Sequence, residues 1–157
     1  AIQFRDTQFE TCFLDKIALY NIPKEKIKLE ITESVLMHNI ASVKATLEKF
    51  HKQGMRISID DFGTGYSSLS YLKKFPLSEL KIDRSFIDDI ESSSDDYHIT
   101  HAIIDVADAL GLEVVAEGVE NKEQSDILNK LGCTRAQGYY FYHPLSLKDF
   151  KKLLKKG

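Results

Sequence analysis

The sequence is poor in several features that would assign it to a specialised class. Its 157 residues include only two cysteines, Cys12 and Cys133, too few for a disulfide scaffold or a zinc site, so a reducing cytoplasmic setting is expected. No apolar run approaches the roughly 18 residues of a membrane-spanning helix, and no signal peptide is recognisable at the start. The net charge of −3 argues against a nucleic-acid partner, because nucleic-acid-binding domains normally carry a basic surface.

The chain also has no internal repeat and no Pro- or Gly-rich linker that would divide it. Its hydrophobic content of 43% is typical of a globular domain with a sizeable core. We therefore expect a single soluble domain, located in the cytoplasm or forming the cytoplasmic part of a membrane-anchored protein.

Apolar residues recur with two different periods, which predicts strands alternating with helices. Alternation of apolar and polar residues, strict in 27–32, predicts strands at 27–32, 55–60, 80–83 and 113–117, and a fifth strand that begins at 135–137. Helical spacing predicts helices around 40–53, 99–110 and 127–131. Each of these helices is followed by a glycine, a short helix is predicted around 68–74 before Pro76, and Ser146 is the predicted cap of a last amphipathic helix.

Strands that alternate with helices pair in parallel, which leaves a doubly wound sheet and a (β/α)8 barrel open. A strand covered by helices on both faces is apolar throughout, whereas here only every second position is apolar. The sequence therefore predicts an α/β fold of the TIM-type (β/α)8 barrel class. A complete barrel needs about 250 residues, so we expect an incomplete barrel that lacks its first strands.

Polar residues stand at the carboxyl ends of the predicted strands, where the active sites of such barrels lie. They are Glu30, Asp60 with Asp61, Lys81 with Asp83, Glu117 and Gln137. Carboxylates that converge repel one another unless cations lie between them, and an all-oxygen ligand set selects Mg²⁺, Mn²⁺ or Ca²⁺ over zinc. Two such ions suit in-line attack on a phosphodiester, and Lys81 would add positive charge beside the phosphorus. The sequence thus predicts metal-assisted phosphoester hydrolysis.

Each of these residues also has a plainer interpretation. A single strand-end carboxylate is more often a helix cap or a solvated group, and Lys81 alone is equally compatible with a surface lysine whose stem is buried. The whole set in consecutive order is hard to explain in that way. Glu33 is compatible with a metal ligand, a helix cap or a brace for a loop, of which the brace is favoured. His98 and His101 are interpreted as a solvated pair.

Five longer motifs resemble those of the EAL-domain family of cyclic di-GMP phosphodiesterases. They are LEITES (29–34), IDDFGTGYSSLSYL (59–72), LKIDRSFI (80–87), VVAEGVE (114–120) and AQGYYFYHPLS (136–146). The resemblance extends from the first residues to about Leu145. It implies a (β/α)8-type barrel that binds two Mg²⁺ or Mn²⁺ ions and opens cyclic di-GMP to linear pGpG.

The resemblance also implies a role for the charged residues at the strand ends. Glu30 and Asp60 match ligands of the family's first metal. Asp60, Asp61 and Glu117 match the group around the second metal. Lys81 and Glu117 match the residues that orient or deprotonate the attacking water.

Three further positions match supporting sites of the family. Gln137 matches a position that contacts the substrate or supports a ligand, and Asp83 matches a position behind the ligands. Glu33 matches the glutamate that holds the DDFGTGYSS loop (60–68). The family commonly dimerises around that loop, so a homodimer is expected.

Two metal ligands of the family have no counterpart in this sequence. The glutamate of the E-A-L triplet and the asparagine of an N-x-S strand precede Ala1 in the family's order. We therefore expect residues 1–157 to be the C-terminal part of an EAL phosphodiesterase domain, inactive alone, in a longer parent. Sensory or GGDEF-type domains commonly lie upstream in this family.

Two other functions are compatible with the motifs. Some members of the family are receptors that bind cyclic di-GMP without hydrolysing it, but these usually carry substitutions at the paired aspartates, the loop glutamate or the lysine, all of which are intact here. The chain could instead be an interaction unit that completes its barrel with another copy, because an incomplete barrel exposes strand edges.

Overall fold

The computed structural model describes residues 8–38, 40–65, 72–92 and 94–155. The helices and strands follow in the order α1 (Phe9–Leu19), β1 (Lys28–Thr32), α2 (Glu33–His38), α3 (Ile40–Lys52), β2 (Arg56–Phe62), β3 (Glu79–Ile82), α4 (Asp95–Ala109), β4 (Glu113–Ala116), α5 (Lys122–Lys130) and α6 (Leu147–Leu153). Single turns of 3₁₀ helix, Lys24–Lys26 and Arg84–Phe86, precede β1 and follow β3.

The four strands form one parallel sheet in the order β1-β2-β3-β4. Strands that are consecutive along the chain are therefore neighbours, as in a barrel, and the order does not reverse as it does in a doubly wound sheet. All four carboxyl ends consequently lie along one edge of the sheet. The predicted α/β class and its barrel-type strand order are confirmed.

The fifth predicted strand is wrong in its extent. At 135–137 the chain forms a single parallel bridge, between Ala116 and Ala136. The amide of Ala116 donates to the carbonyl of Arg135 at 3.0 Å, and the amide of Gln137 donates to the carbonyl of Ala116 at 2.9 Å. The pairing does not extend into a longer strand, because the chain bends at Gly138. The backbone of Gly138 lies close to the backbone of Val119.

The apolar positions of the strands face the helices, as the alternation predicts. Ile57 and Ile59 of β2 and Leu80 and Ile82 of β3 are completely buried. The main core joins them to apolar residues of helices α2 to α5, namely Leu36 of α2, Val43 and Leu47 of α3, Ile103, Ile104 and Ala107 of α4, and Leu128 of α5. A smaller cluster of Ile17, Phe50 and Met55 attaches α1 to α3. This packing holds the strands in register.

The opposite face of the sheet is lined by charged side chains that pair with one another. Glu79 is buried and accepts hydrogen bonds from Lys28 at 2.7 Å and from the Ser58 hydroxyl at 3.0 Å. Glu113 forms ion pairs with both Arg56 and Arg135. These pairs lie toward the amino ends of the strands, below the carboxyl-end residues, and we call them the lower ion pairs.

Four helix predictions are confirmed, the one around 68–74 lies mostly outside the described residues, and two of the described helices were not predicted. The helices predicted around 40–53, 99–110 and 127–131 are α3, α4 and α5, and the Ser146 side chain caps α6 by accepting from the amide of Asp149. The sequence does not predict α1, which buries a single residue, or the short α2. Within the described ranges, no helix combines the length and the apolar character needed to cross a membrane.

Candidate metal centre

One buried lysine stands at the centre of the carboxyl-end residues. The Nζ atom of Lys81 lies 3.1 Å from Glu30 Oε2, 2.8 Å from Asp60 Oδ1 and 2.7 Å from Glu117 Oε1. The Lys81 side chain is only 7% exposed, whereas Glu30, on the outermost of the four strands, is 47% exposed. The structure thus brings residues of β1 and β2 and the residue after β4 to one point, around an ammonium group from β3.

Asp61 joins this group through an irregularity in β2. Neighbouring residues of a regular strand point to opposite faces, so Asp60 and Asp61 would be separated. The pairing of β2 with β3 shifts between Ile59 and Phe62, where β2 contains one residue more than β3, and Asp61 has a positive φ of 54°. This β-bulge re-aims the second carboxylate. Oxygens of Asp60, Asp61 and Glu117 consequently lie within 4.8 Å of one another.

Burial and mutual repulsion alter the pKa values in the group. Burial lowers the pKa of Lys81, but the hydrogen bonds that its ammonium donates to Asp60, Glu117 and Glu30 outweigh burial and raise the pKa above its usual value, so the ammonium stays charged. Desolvation and the neighbouring Asp60 charge raise the pKa of Asp61. Desolvation also raises the pKa of Glu117, against the opposing effect of Lys81. One ammonium therefore leaves the carboxylates incompletely neutralised.

The donor set fits divalent metal ions. Every potential ligand atom in the group is a carboxylate oxygen, which is the type that Mg²⁺ and Mn²⁺ prefer. Histidine, cysteine, aspartate and glutamate side chains are the usual protein ligands of metal ions. Among the described residues, Asp60, Asp61 and Glu117 are the one group of three or more of them whose ligand atoms are close enough to share an ion. His98 and His101 are exposed on α4 and are not part of it.

Glu33 contacts the loop that follows β2. Its carboxylate, only 4% exposed, accepts a hydrogen bond from the amide of Gly63 at 3.1 Å. A side chain at Gly65 would overlap the same carboxylate, so the loop backbone lies directly against Glu33. Residues 66–71 fall outside the described part of the chain, and with them the last three residues of the DDFGTGYSS loop, around which the homodimer is predicted.

The other two predicted residues lie at the edge of the group. Gln137 is exposed and its amide nitrogen donates to the carboxylate of Glu117. Asp83 accepts from the amide of Ser85 at 3.0 Å and so caps the 3₁₀ turn after β3. Its negative charge also contributes to the raised pKa of Asp61.

Sequence reasoning missed a close contact beside Glu117. The side chain of Arg84 lies over Gly118, where any Cβ atom would overlap it, and its guanidinium pairs with Glu120 at 2.8 Å. Gly118 also has a positive φ of 73°, which glycine adopts without strain. The sequence shows that a glycine directly follows Glu117. It does not show that the side chain of Arg84 packs against this glycine.

We expect Gly138→Ala to be strongly destabilising. A Cβ atom at this position would overlap the backbone of Val119, and backbone atoms cannot turn aside as a side chain does. The substitution should lower the free energy of unfolding by about 3 kcal/mol, at the upper end for overpacking, as measured by urea denaturation. Gly132→Ala is the control. Gly132 has a positive φ of 88°, but nothing lies within 4 Å of the position that a Cβ atom would occupy. Only about 1 kcal/mol of backbone strain is therefore expected. Equal losses in the two variants would contradict the close approach.

Comparison with known proteins assigns this arrangement to one family. The family model described as the EAL domain matches residues 1–144. The cyclic di-GMP phosphodiesterase NbdA of Pseudomonas aeruginosa is 49% identical over 82% of this chain, which corresponds to 16% of that protein. The chain spans between 16% and 22% of the length of the curated relatives that head the comparison.

Solved structures show the same fold. The MucR phosphodiesterase from P. aeruginosa in complex with c-di-GMP is 40% identical, with a TM-score of 0.90 over 95% of this chain and 60% of that chain. The manganese/cy-diGMP complex of Klebsiella pneumoniae BlrP1 is 28% identical, with a TM-score of 0.80 over 88% of this chain and 35% of that chain.

Proposed function

Because the chain belongs to the EAL domain family, we propose that residues 1–157 form the C-terminal part of a domain that hydrolyses cyclic di-GMP to linear pGpG in bacterial second-messenger signalling. The observation that carries this proposal is the meeting of Glu30, Asp60 and Glu117 around Lys81. The family supports the same conclusion, since NbdA and MucR are named as cyclic di-GMP phosphodiesterases.

Two Mg²⁺ or Mn²⁺ ions are the proposed cofactors. Glu30 and Asp60 would hold the first ion, and Asp60, Asp61 and Glu117 the second, with the Asp60 carboxylate shared between them. The closeness of the carboxylate oxygens of Asp60, Asp61 and Glu117 supports the second ion, and BlrP1 was solved with manganese and cyclic di-GMP. When bound, the two ions supply an activated water and stabilise the leaving oxygen of the phosphodiester.

The chain's own residues would orient the reaction. The Lys81 ammonium lies 2.7 Å from Glu117 Oε1 and stays protonated, so it can fix the water and face the developing negative charge. Glu117 has a raised pKa, which makes its carboxylate a better proton acceptor. Gln137 donates to Glu117 and so restricts its orientation. Asp83 is proposed to lie behind the ligands, where its negative charge contributes to the raised pKa of Asp61.

Glu33 would set the position of the loop at which we propose that two parents associate. Its hydrogen bond to the amide of Gly63 ties the first residues of the DDFGTGYSS loop to the start of α2. A homodimer around this loop would then respond to occupancy of the adjacent paired aspartates. The parent is further proposed to be cytoplasmic, or membrane-anchored with this domain in the cytoplasm, and to carry an upstream sensory or GGDEF-type domain. MucR, named as bifunctional, is a precedent for the latter.

The proposal is tested by comparing the isolated chain with its full-length parent. With Mn²⁺ and cyclic di-GMP, chromatography should show conversion to pGpG by the parent. The isolated chain should be slower by about 100-fold or more, since loss of supporting groups alone costs 10- to 100-fold and here the E-A-L and N-x-S ligands themselves are missing.

The outcomes of this comparison separate the alternatives. Rapid turnover by the isolated chain would contradict the requirement for the upstream ligands. Tight binding of cyclic di-GMP by the parent without hydrolysis would overturn the enzyme proposal in favour of a receptor.

A metal-free parent, prepared with a chelator, should be inactive and should recover on addition of Mn²⁺.

A further inference from the structure

A buried glutamine at the start of α5 uses all of its hydrogen-bonding capacity. Gln124 is 5% exposed. Its Oε1 atom accepts from the amides of Glu120 at 2.7 Å and Asn121 at 3.2 Å. Its Nε2 atom donates to the carbonyls of Ile87 at 3.0 Å and Asp88 at 3.1 Å. A carboxamide has two donor hydrogens and two acceptor lone pairs, so no part of this side chain is unused.

These four bonds join the two segments that follow the central strands. Ile87 and Asp88 lie in the segment after β3, which carries Lys81. Glu120 and Asn121 lie in the segment after β4, which begins at Glu117. The two strands separate beyond the bond from the Glu117 amide to the Ile82 carbonyl. We call the four bonds the Gln124 bridge.

A second side-chain link between these segments, an ion pair, is weaker than the Gln124 bridge. Arg84 and Glu120 pair at 2.8 Å, but their side chains are 52% and 43% exposed. Exposed ion pairs contribute little because solvent and salt screen them. The Gln124 bridge is buried, where hydrogen bonds are stronger and an unmade bond is costly.

Capping of α5 does not by itself require glutamine at position 124. Asn121 and Gln124 form a capping box, in which the Asn121 side chain accepts from the Gln124 amide and the Gln124 side chain accepts in return. Glutamate serves as well as glutamine at that position of a capping box. Only the amide, however, can also donate to two carbonyl groups.

We propose that Gln124 is a positioning residue for the carboxylate group: by holding the segment after β3 against the segment after β4, it fixes Glu117 relative to Lys81. The inference rests on the proposed function of that group. Gln124 contacts none of the proposed ligands and acts through the backbone that carries them.

The Gln124→Glu variant distinguishes the effect of the Gln124 bridge from the effect of helix capping. The variant keeps the acceptor oxygen for the two amides, loses both donors and places a carboxylate against two carbonyl oxygens. In the full-length parent we expect Mn²⁺ affinity, measured by titration calorimetry, to fall about tenfold, as for outer groups that support metal ligands. Hydrogen exchange at the amides of Ile87 and Asp88, which donate to Arg84, should become faster.

Asn121→Ala is the matched control, since it removes the cap of the same helix without touching the carbonyls of Ile87 and Asp88. It should lower the melting temperature while leaving Mn²⁺ affinity and exchange at those two amides unchanged. Gln124→Met, which removes all four bonds at similar volume, should show both effects.

Two results would overturn the inference. One is wild-type exchange and wild-type Mn²⁺ affinity in Gln124→Glu. The other is a fall in Mn²⁺ affinity as large in Asn121→Ala as in Gln124→Glu, because the effect would then follow helix stability alone. A parent without hydrolytic activity would contradict the proposed function instead, and the exchange comparison would still decide whether the bridge holds the two segments together.

Discussion

Lys81→Met is expected to lower kcat of the full-length parent for cyclic di-GMP hydrolysis, the activity we propose for it, by about three orders of magnitude, within the range for loss of a positioned acid–base or charged group. The substitution keeps most of the length of the side chain and removes the ammonium that contacts Glu30, Asp60 and Glu117. Because the remaining charges are all negative, Glu117 should also take up a proton more readily. The measurement is single-turnover conversion of cyclic di-GMP with saturating Mn²⁺.

The same variant should be less stable without metal. Removal of one partner from a buried ion pair is strongly destabilising, and we expect a loss of about 3 kcal/mol in the metal-free domain. Mn²⁺ should restore more stability to Lys81→Met than to the wild type, because the ion replaces the missing positive charge among the carboxylates.

Lys28→Met provides the control for charge and burial. Lys28 lies on the same face of the sheet and pairs with the buried Glu79, but it belongs to the lower ion pairs. This variant should lose stability and keep kcat within about threefold of the wild type, since only the network around Lys81 contributes to acid–base catalysis. A comparable loss of kcat in both lysine variants would contradict a specific role for Lys81.

Asp60→Asn is expected to weaken Mn²⁺ binding by at least about 100-fold, or about 2.7 kcal/mol, and to abolish measurable turnover. The change retains the shape of the side chain and an oxygen for Lys81, which lies 2.8 Å away, but removes the negative charge that two ions would share. Titration calorimetry with Mn²⁺ measures the affinity directly, independently of turnover.

The comparison for Asp60→Asn uses two other aspartates. Asp126→Asn removes an exposed carboxylate on α5 and should bind Mn²⁺ as the wild type does. Asp61→Asn should weaken one of two binding events, because Asp61 is proposed to hold only the second ion. Unchanged stoichiometry and affinity in Asp60→Asn would show that the ions, if bound, lie elsewhere.

Much of the site was predictable because strands have a period of two. The alternation in 27–32, 55–60 and 80–83 places Glu30, Asp60 and Lys81 on the same face without any knowledge of the structure. Parallel order then brings their carboxyl ends to one edge. The sequence does not show that Lys81 is buried among the carboxylates, since that depends on how far the three strands are staggered.

The position of Asp61 was not derivable from the same rule. Strict alternation would point it toward the helices, and the bulge that re-aims it requires a positive φ at a non-glycine residue, which no local pattern announces. The Gln124 bridge is similar, because the capping box is visible in Asn121 and Gln124 but the bonds to residues 87 and 88 join segments that are distant in sequence. The fifth strand was overestimated since three residues of alternation cannot show where pairing stops.

The lower ion pairs have a consequence for how deep an ion can enter. They combine three cations, from Lys28, Arg56 and Arg135, with the two carboxylates of Glu79 and Glu113, whereas the group at the strand ends has one cation among several carboxylates. A divalent ion moving down the charged face would meet repulsion as soon as it left the strand ends. We therefore expect the order of charges along each strand to hold divalent ions at the carboxyl ends of the strands, where they would be accessible to a phosphate group.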